Sequence, residues 1–166
     1  DWDIDCGSLL ASLQTWAYEL VIYRDNGYSV DRVWEGPITL LTYADAPSSS
    51  LGTALAGSLR AAGYTVTTVR LWPSSGAASY DSARTALAAS PVAVVAASIR
   101  VSAWSGTISL PPQVAELVNA TAAKQPTVLV SFGSPYLLTQ APAVQGYLLA
   151  WAARSINEEA VAAALT

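Results

Sequence analysis

Thr127-Val128-Leu129-Val130-Ser131-Phe132-Gly133-Ser134-Pro135-Tyr136-Leu137-Leu138 reads as a strand of the buried type running into a Gly-Ser-Pro turn and then a new helix. The first six residues lack a polar alternation, as expected of a strand covered on both faces. Gly133 and Pro135 set the turn, and Tyr136 with the paired leucines opens the next element. Outward from this stretch the same grammar recurs. Short β-rich runs alternate with Ala/Leu helical patterns, which predicts βα units and a mainly parallel sheet. Strands are predicted at Glu19–Tyr23, Ile38–Tyr43, Thr65–Leu71, Val92–Ser98, Thr127–Phe132 and Tyr147–Trp151. The expected fold class is α/β, a three-layer α/β/α sandwich with a mainly parallel sheet of about six strands.

The clearest helix is predicted over Ser48–Ala62, where Leu51, Leu55 and Leu59 recur every four residues and Gly63 supplies the C-terminal cap. Gly52 and Gly57 fall inside it and are read as points of close packing against the sheet. Pro111 and Pro112 open the helix that delivers the chain to Thr127. Its apolar face is Val114, Leu117 and Val118, and Lys124 lies near its negative end. Further helices are expected at Ser8–Ala17, Tyr80–Ala89 and Ser155–Leu165.

The chain has 166 residues, 52% of them hydrophobic, enough for one domain with a single core. Seven Arg and one Lys stand against twelve acidic residues, a net charge of −4. Without a basic stripe, nucleic acid and anionic lipid are poor partners. There is no histidine, which removes the usual general base near neutral pH and the commonest metal ligand. Cys6 is the single cysteine, so no internal disulfide or thiolate cluster can form, and it is read as a free thiol near a terminus. No cofactor and no metal are expected. No apolar run approaches the roughly 18 to 20 residues of a membrane span, so no transmembrane segment is expected. The chain has no Met and begins Asp1-Trp2-Asp3, so a processed or truncated start is expected. Removal of an export signal would fit it, and with it an extracytoplasmic, periplasmic or secreted address.

In open α/β sheets ligands bind in crevices at the carboxyl ends of the strands. The turns there are 44–48, 72–76, 100–106 and 133–136, rich in Ser and Trp, with Asp45, Trp72, Trp104, Ser134 and Tyr136 as candidate crevice residues. Aromatic faces and hydroxyls suit a carbohydrate, and the same composition suits ordinary loops. No Gly-x-Gly-x-x-Gly or Gly-Lys-Ser/Thr motif is present to cradle phosphate. Ser134 precedes Pro135 and has no base to activate it, so it is not a nucleophile elbow. Glycoside hydrolysis needs two carboxylates held across the scissile bond. Asp1, Asp3 and Asp5 read as a solvated acidic end. Asp45 either faces the crevice or caps the Ser48 helix region. Asp81 suits a helix first turn, and Glu116, Glu158 and Glu159 are expected to be exposed on helices.

Four segments together resemble the C-terminal α/β sandwich domain of glycoside hydrolase family 3, the β-glucosidases and β-N-acetylhexosaminidases. Ile38-Thr39-Leu40-Leu41-Thr42-Tyr43-Ala44-Asp45 is similar to its opening strand, and Leu71–Gly76 through Ser79–Arg84 to its next crossover. Val130–Leu138 followed by Tyr147-Leu148-Leu149-Ala150-Trp151 resembles its last crossover. Ala17–Gly27 resembles the lead-in that follows the family's barrel. The likeness runs from about Ser8 onward and rests on the order and spacing of these segments. In that family the nucleophilic Asp belongs to the N-terminal barrel, and a His-containing barrel loop supplies the acid/base in the hexosaminidase branch. Neither has a counterpart here, and the family's later Gly-Arg-Leu-Pro segment is missing, so the resemblance carries no catalytic residue over.

The resemblance implies the part that buttresses the barrel. The expected function is a non-catalytic structural or interaction subunit docking on a larger extracytoplasmic or membrane-attached protein complex. The alternative is a fragment, or a carbohydrate-binding remnant, of a family 3 glycosidase. Six Trp and eight Tyr against one Phe suit a protein interface. Residues 1–36 are read as an aromatic-rich N-terminal arm with a lead-in helix and strand, and 37–166 as the sandwich domain. Trp2, Trp16, Tyr28 and Trp34 are the candidate partner-docking residues.

Overall fold

The computed structural model describes the backbone of residues 21–25, and residues 36–99 and 108–166 with their side chains. The described strands are β1 (Val21–Asp25), β2 (Ile38–Tyr43), β3 (Val66–Leu71), β4 (Val92–Ala97), β5 (Thr127–Ser131) and β6 (Gly146–Leu149). They form one sheet in the order β1-β6-β5-β4-β2-β3, with β2 to β6 parallel and β1 antiparallel on β6. The helices are α1 (Thr53–Ala61), α2 (Ala77–Ala88), α3 (Pro112–Ala122) and α4 (Ser155–Leu165). Tyr80, Ala83 and Leu87 of α2 and Val114, Leu117 and Val118 of α3 pack on one face, with Leu41, Val95, Leu129 and Tyr147. Leu55 and Leu59 of α1 and Val161 and Leu165 of α4 pack on the other, with Ile38, Leu40, Val94 and Val130. The α/β/α sandwich with a mainly parallel sheet is thus the observed architecture. The predicted helix Ser8–Ala17 lies outside the described residues.

Every residue of β2, β4 and β5 is buried. Such strands carry no in/out alternation to punish a one-residue slip, so register must be fixed by other means. Buried Thr39 does this in β2: its hydroxyl lies 2.9 Å from the Ala86 carbonyl and 2.7 Å from Ser90 Oγ. A slip would turn Thr39 to the opposite helix layer and strand that hydroxyl, at a cost of about 1–3 kcal/mol. Gly52 is a second pin. A Cβ there would meet Thr42 Cγ2 at 2.4 Å, and its φ of +83° favours glycine.

Gly52 also explains why α1 starts at Thr53 instead of Ser48: its left-handed backbone makes it the N-cap. The close packing expected of Gly52 is present, whereas Gly57 is exposed on α1, and a Cβ there would meet nothing within 4 Å. At the other end Gly63 N–H bonds Arg60 C=O at 3.0 Å and Tyr64 N–H bonds Leu59 C=O at 3.1 Å, the Schellman pattern. The start of α1 has no side-chain cap from its own N-cap residue. Glu158 of α4 supplies one instead: Leu55 N–H donates to its Oε2 at 3.0 Å. Glu158 is only 3% exposed, which corrects the expectation that it faces solvent. An acceptor carboxylate at a helix N-terminus is stabilised by the free N–H groups and the dipole, so burial here is tolerated.

The new helix expected after Ser134 is a 3-10 helix, Pro135–Gln140. Strand β6 begins at Gly146, which leaves no length for a full crossover helix. Neutral amides fasten this short connection. Asn119 Nδ2 donates to Gln140 C=O at 2.7 Å, and Leu110 N–H donates to Gln140 Oε1 at 2.6 Å. Gln145 accepts Thr127 N–H at 2.8 Å and donates to Ala122 C=O at 3.0 Å. Asp81 falls in the second turn of α2, because the helix starts three residues before the predicted Tyr80, and it pairs with Arg84 at 2.7 Å on the exposed surface.

Two substitutions on one helix should therefore move stability in opposite directions. Gly52→Ala is expected to lower unfolding free energy by about 2–4 kcal/mol through overpacking and left-handed strain, and Gly57→Ala to raise it by about 0.5–1 kcal/mol, both read from urea midpoints. Glu158→Ala should cost about 2–3 kcal/mol by leaving Leu55 N–H buried without its acceptor. Glu158→Gln, which retains an acceptor oxygen, should cost less in the same titration.

Candidate functional site

The chain leaves β2 toward β3 on one side and β4 toward β5 on the other, so the topological switch point lies between the carboxyl ends of β2 and β4. Hydrogen bonds extend the ladder past the strands at this end: Ser98 N–H to Tyr43 C=O at 2.9 Å, Phe132 N–H to Ala97 C=O at 2.8 Å, and Ala150 N–H to Ser131 C=O at 2.8 Å. The backbone here is tightly drawn in. A Cβ on Gly133 would sit 2.6 Å from the Ile99 carbonyl oxygen, so glycine lets the turn after β5 close against the end of β4.

The candidate crevice residues are spread along this end. Trp72 follows β3, Asp45 follows β2, and Ser134 and Tyr136 follow β5. Neighbouring strands lie about 4.8 Å apart, so the strands carrying Trp72 and Tyr136, three steps apart, are separated by about 14 Å. Trp72 and the loop around Asp45 do meet: Ala44, Ala46, Pro47, Ser49, Arg70 and Trp72 line a depression of about 190 Å³ including its open mouth. Because that volume includes open solvent, the depression encloses no cavity of ligand size. Trp104 lies outside the described residues, as do Trp2, Trp16, Tyr28 and Trp34.

Each described candidate has a local role. Trp72 is half-buried and closes a turn in which its N–H donates to Ser75 Oγ at 2.9 Å and Ser75 N–H donates to its C=O at 2.9 Å. Ser134 is fully buried; its Oγ accepts Tyr136 N–H at 3.3 Å, and its C=O accepts the Ser131 and Tyr147 hydroxyls. Its hydroxyl thus serves the 3-10 helix and does not face the crevice. Tyr136 is 59% exposed, whereas Leu137 beside it is fully buried and Leu138 partly so. Asp45 is exposed, and the cap of α1 that it was a candidate for is provided by Glu158. Among the described residues no three His, Cys, Asp or Glu side chains come together to hold a metal ion.

Three residues at this end were not singled out from sequence. Trp151, just past β6, has φ +54° and is 48% exposed. Ala152 N–H bonds Ala150 C=O across it, a three-residue turn that a bulky residue adopts at a cost of about 1–2 kcal/mol. Asn157 is 2% exposed, its Nδ2 donates to Ala150 C=O at 3.0 Å, and its buried Oδ1 has no hydrogen-bond partner among the described residues. Ile156, in the first turn of α4, is 47% exposed. No sequence signal marks a left-handed Trp.

The electrostatics of the β2 end centre on Tyr43. Burial, then the neighbouring Tyr80 and Asp45, push its phenol above the ordinary tyrosine value of 10.0. Burial likewise raises Tyr80, partly offset by Arg84. Raised folded-state values mean that the unfolded chain ionises first. Their stabilising contribution is full below about pH 10 and is lost as pH rises through the folded-state values. The urea midpoint should therefore fall above about pH 10, and Tyr43→Phe should flatten that fall while leaving the neutral range unchanged in slope.

No family model matches the chain, and no curated protein sequence matches it. Solved structures do. A glycoside hydrolase family 3 β-N-acetylglucosaminidase from Paenibacillus sp. str. FPU-7 superposes with a TM-score of 0.71 at 18% identity, over 89% of this chain and 28% of that one. The β-glucoside phosphorylase BglX gives 0.65 at 19%, over 89% and 27%. A β-glucosidase from Listeria innocua gives 0.69 at 18%, over 88% and 23%. The chain spans about a quarter of the length of these proteins. At such identities the likeness is one of fold, and in fold this chain is the α/β sandwich found within family 3 glycoside hydrolases.

Proposed function

We propose that the chain is a non-catalytic module, related to the C-terminal sandwich of family 3 glycosidases, that docks on a larger protein through the carboxyl end of its sheet. The observation that carries this reading is the exposed apolar set Tyr136, Trp151 and Ile156, placed at the ends of adjacent strands β5 and β6 and at the start of α4. Aromatic residues at 48–59% exposure, one of them held in a strained backbone, are the kind that anchor interfaces. The described carboxylates support the non-catalytic part of the reading. Glu158 is committed to α1, Asp81 is paired with Arg84, and Glu116 and Glu159 are exposed on the helices α3 and α4. A pair held across a sugar bond is the minimum for glycoside hydrolysis. The fold likeness, over about a quarter of each enzyme's length, fits a buttress to a catalytic part located elsewhere.

A second reading, a carbohydrate-binding remnant, draws on Trp72 beside its shallow depression. N-acetylglucosamine titrated against Trp fluorescence separates the two, since a flat response at millimolar sugar removes it. For docking, the purified chain is used to capture partners from its native envelope, in parallel with Tyr136→Ala and Trp151→Asn. Asparagine tolerates the left-handed backbone, so the second variant should keep the fold by circular dichroism. Capture by the natural chain with at least about tenfold weaker capture by both folded variants is the expected result. A monomer that captures nothing, or that hydrolyses p-nitrophenyl N-acetyl-β-glucosaminide alone, overturns the reading.

A further inference from the structure

Among the described residues β3 closes the sheet on the side away from β1. Along a strand, the N–H and C=O of one residue point the same way and successive residues alternate. Ile38 N–H donates to Thr65 C=O at 2.8 Å and Ala44 N–H to Leu71 C=O at 3.3 Å, so residues 65, 67, 69 and 71 turn their backbone groups toward β2. Val66, Thr68 and Arg70 therefore direct theirs outward. Val66 C=O is taken by Arg60 Nη2 at 2.8 Å. The backbone groups of Thr68 and Arg70 remain as a short ladder with no partner strand among the described residues, and the side chains of Thr67, Thr68 and Arg70 are exposed.

Natural edges are usually blunted by a proline, a bulge, a charged side chain or a cover. This one runs in register with β2 over all six residues, without proline or bulge, and is rich in β-branched residues suited to pairing. Its charge selects the occupant. Arg60 bonds a carbonyl and Arg70 Nη2 reaches Thr53 Oγ1 at 3.3 Å, and the ion pair found among the described residues, Arg84 with Asp81, involves neither. The edge is thus a local positive strip on a chain of net charge −4. A second copy fits poorly. Antiparallel pairing about Thr68 would set Arg70 opposite Val66 of the other copy, beside that copy's Arg60, placing like charges together at both ends.

We propose that the β3 edge is a strand-addition site for an extended acidic segment of another protein. Thr68 and Arg70 supply the main-chain hydrogen bonds, and Arg60 and Arg70 hold two carboxylates about four residues apart on the incoming strand. The site is independent of the surface around Trp151, so either proposal can fail alone.

A random display library of short peptides selected on the full chain tests it. Proline-free peptides with paired acidic residues should be enriched, and synthetic copies of them should bind more weakly as salt is raised. Thr68→Pro removes an outward N–H without touching the β2 ladder and should weaken binding at least about tenfold. Arg70→Glu should do the same, while Tyr136→Ala should leave binding unchanged. Failure to enrich acidic peptides overturns the proposal, as does equal binding by the folded Arg70→Glu variant. Dimerisation of the natural chain that Thr68→Pro abolishes would assign the edge to a second copy and overturn it as well.

Discussion

The structure depends on the burial of β2, β4 and β5 on both faces. Ile38, Leu40, Val94, Val95, Leu129 and Val130 are each fully buried. Apolar area of this kind stabilises by roughly 1.5–3 kcal/mol per large side chain, so both helix layers are obligatory. Once both faces are covered, the sheet itself can offer chemistry or recognition only at its strand ends and edges. Charge has little part in the interior. Asn119, Gln125, Gln140 and Gln145 tie loops to helices through neutral amides, for example Gln125 Nε2 to Leu87 C=O at 3.0 Å. Such bonds lose little on desolvation compared with ion pairs.

Glu158 is the exception that the helices on the α1/α4 face require. Gly52 must be glycine to approach Thr42, and a glycine N-cap has no side chain with which to satisfy the first turn of α1. The missing acceptor comes from α4, 103 residues along the chain, so the last helix closes a gap created by the tight fit of the first. A similar trade occurs at the carboxyl ends, where Gly133 permits contact with Ile99 and Ser134 is drawn wholly inward.

Much of the fold was legible because its signals are local. Leu55 and Leu59 mark the buried face of α1, and Leu51, just ahead of the helix, is buried with them. Ser155–Leu165 forms the predicted helix, and the apolar runs at Ile38, Val92 and Thr127 form the central strands. The misread residues depend on tertiary neighbours. Gly52 and Gly57 look alike in sequence, yet one faces Thr42 and the other faces open space. A glutamate beside a second glutamate reads as surface, and only the orphan N–H of Leu55 reverses that for Glu158. The candidate site was legible as a set of loops but not as a geometry. Composition placed Trp72, Asp45, Ser134 and Tyr136 at one end of the sheet, but strand order keeps the β3 and β5 ends apart.

That separation bears on how far the enzyme-like shape extends to enzyme-like chemistry. Tyr136 and Trp151 are exposed and belong to neither core cluster, so these positions can change while the sandwich persists. A TM-score of 0.71 at 18% identity is the result expected when the burial pattern is kept and the surface is not. What distinguishes this chain must then be sought where the fold leaves freedom. The strained turn at Trp151 and the open ladder of β3 are two such places, because each retains a feature that folding alone would favour losing.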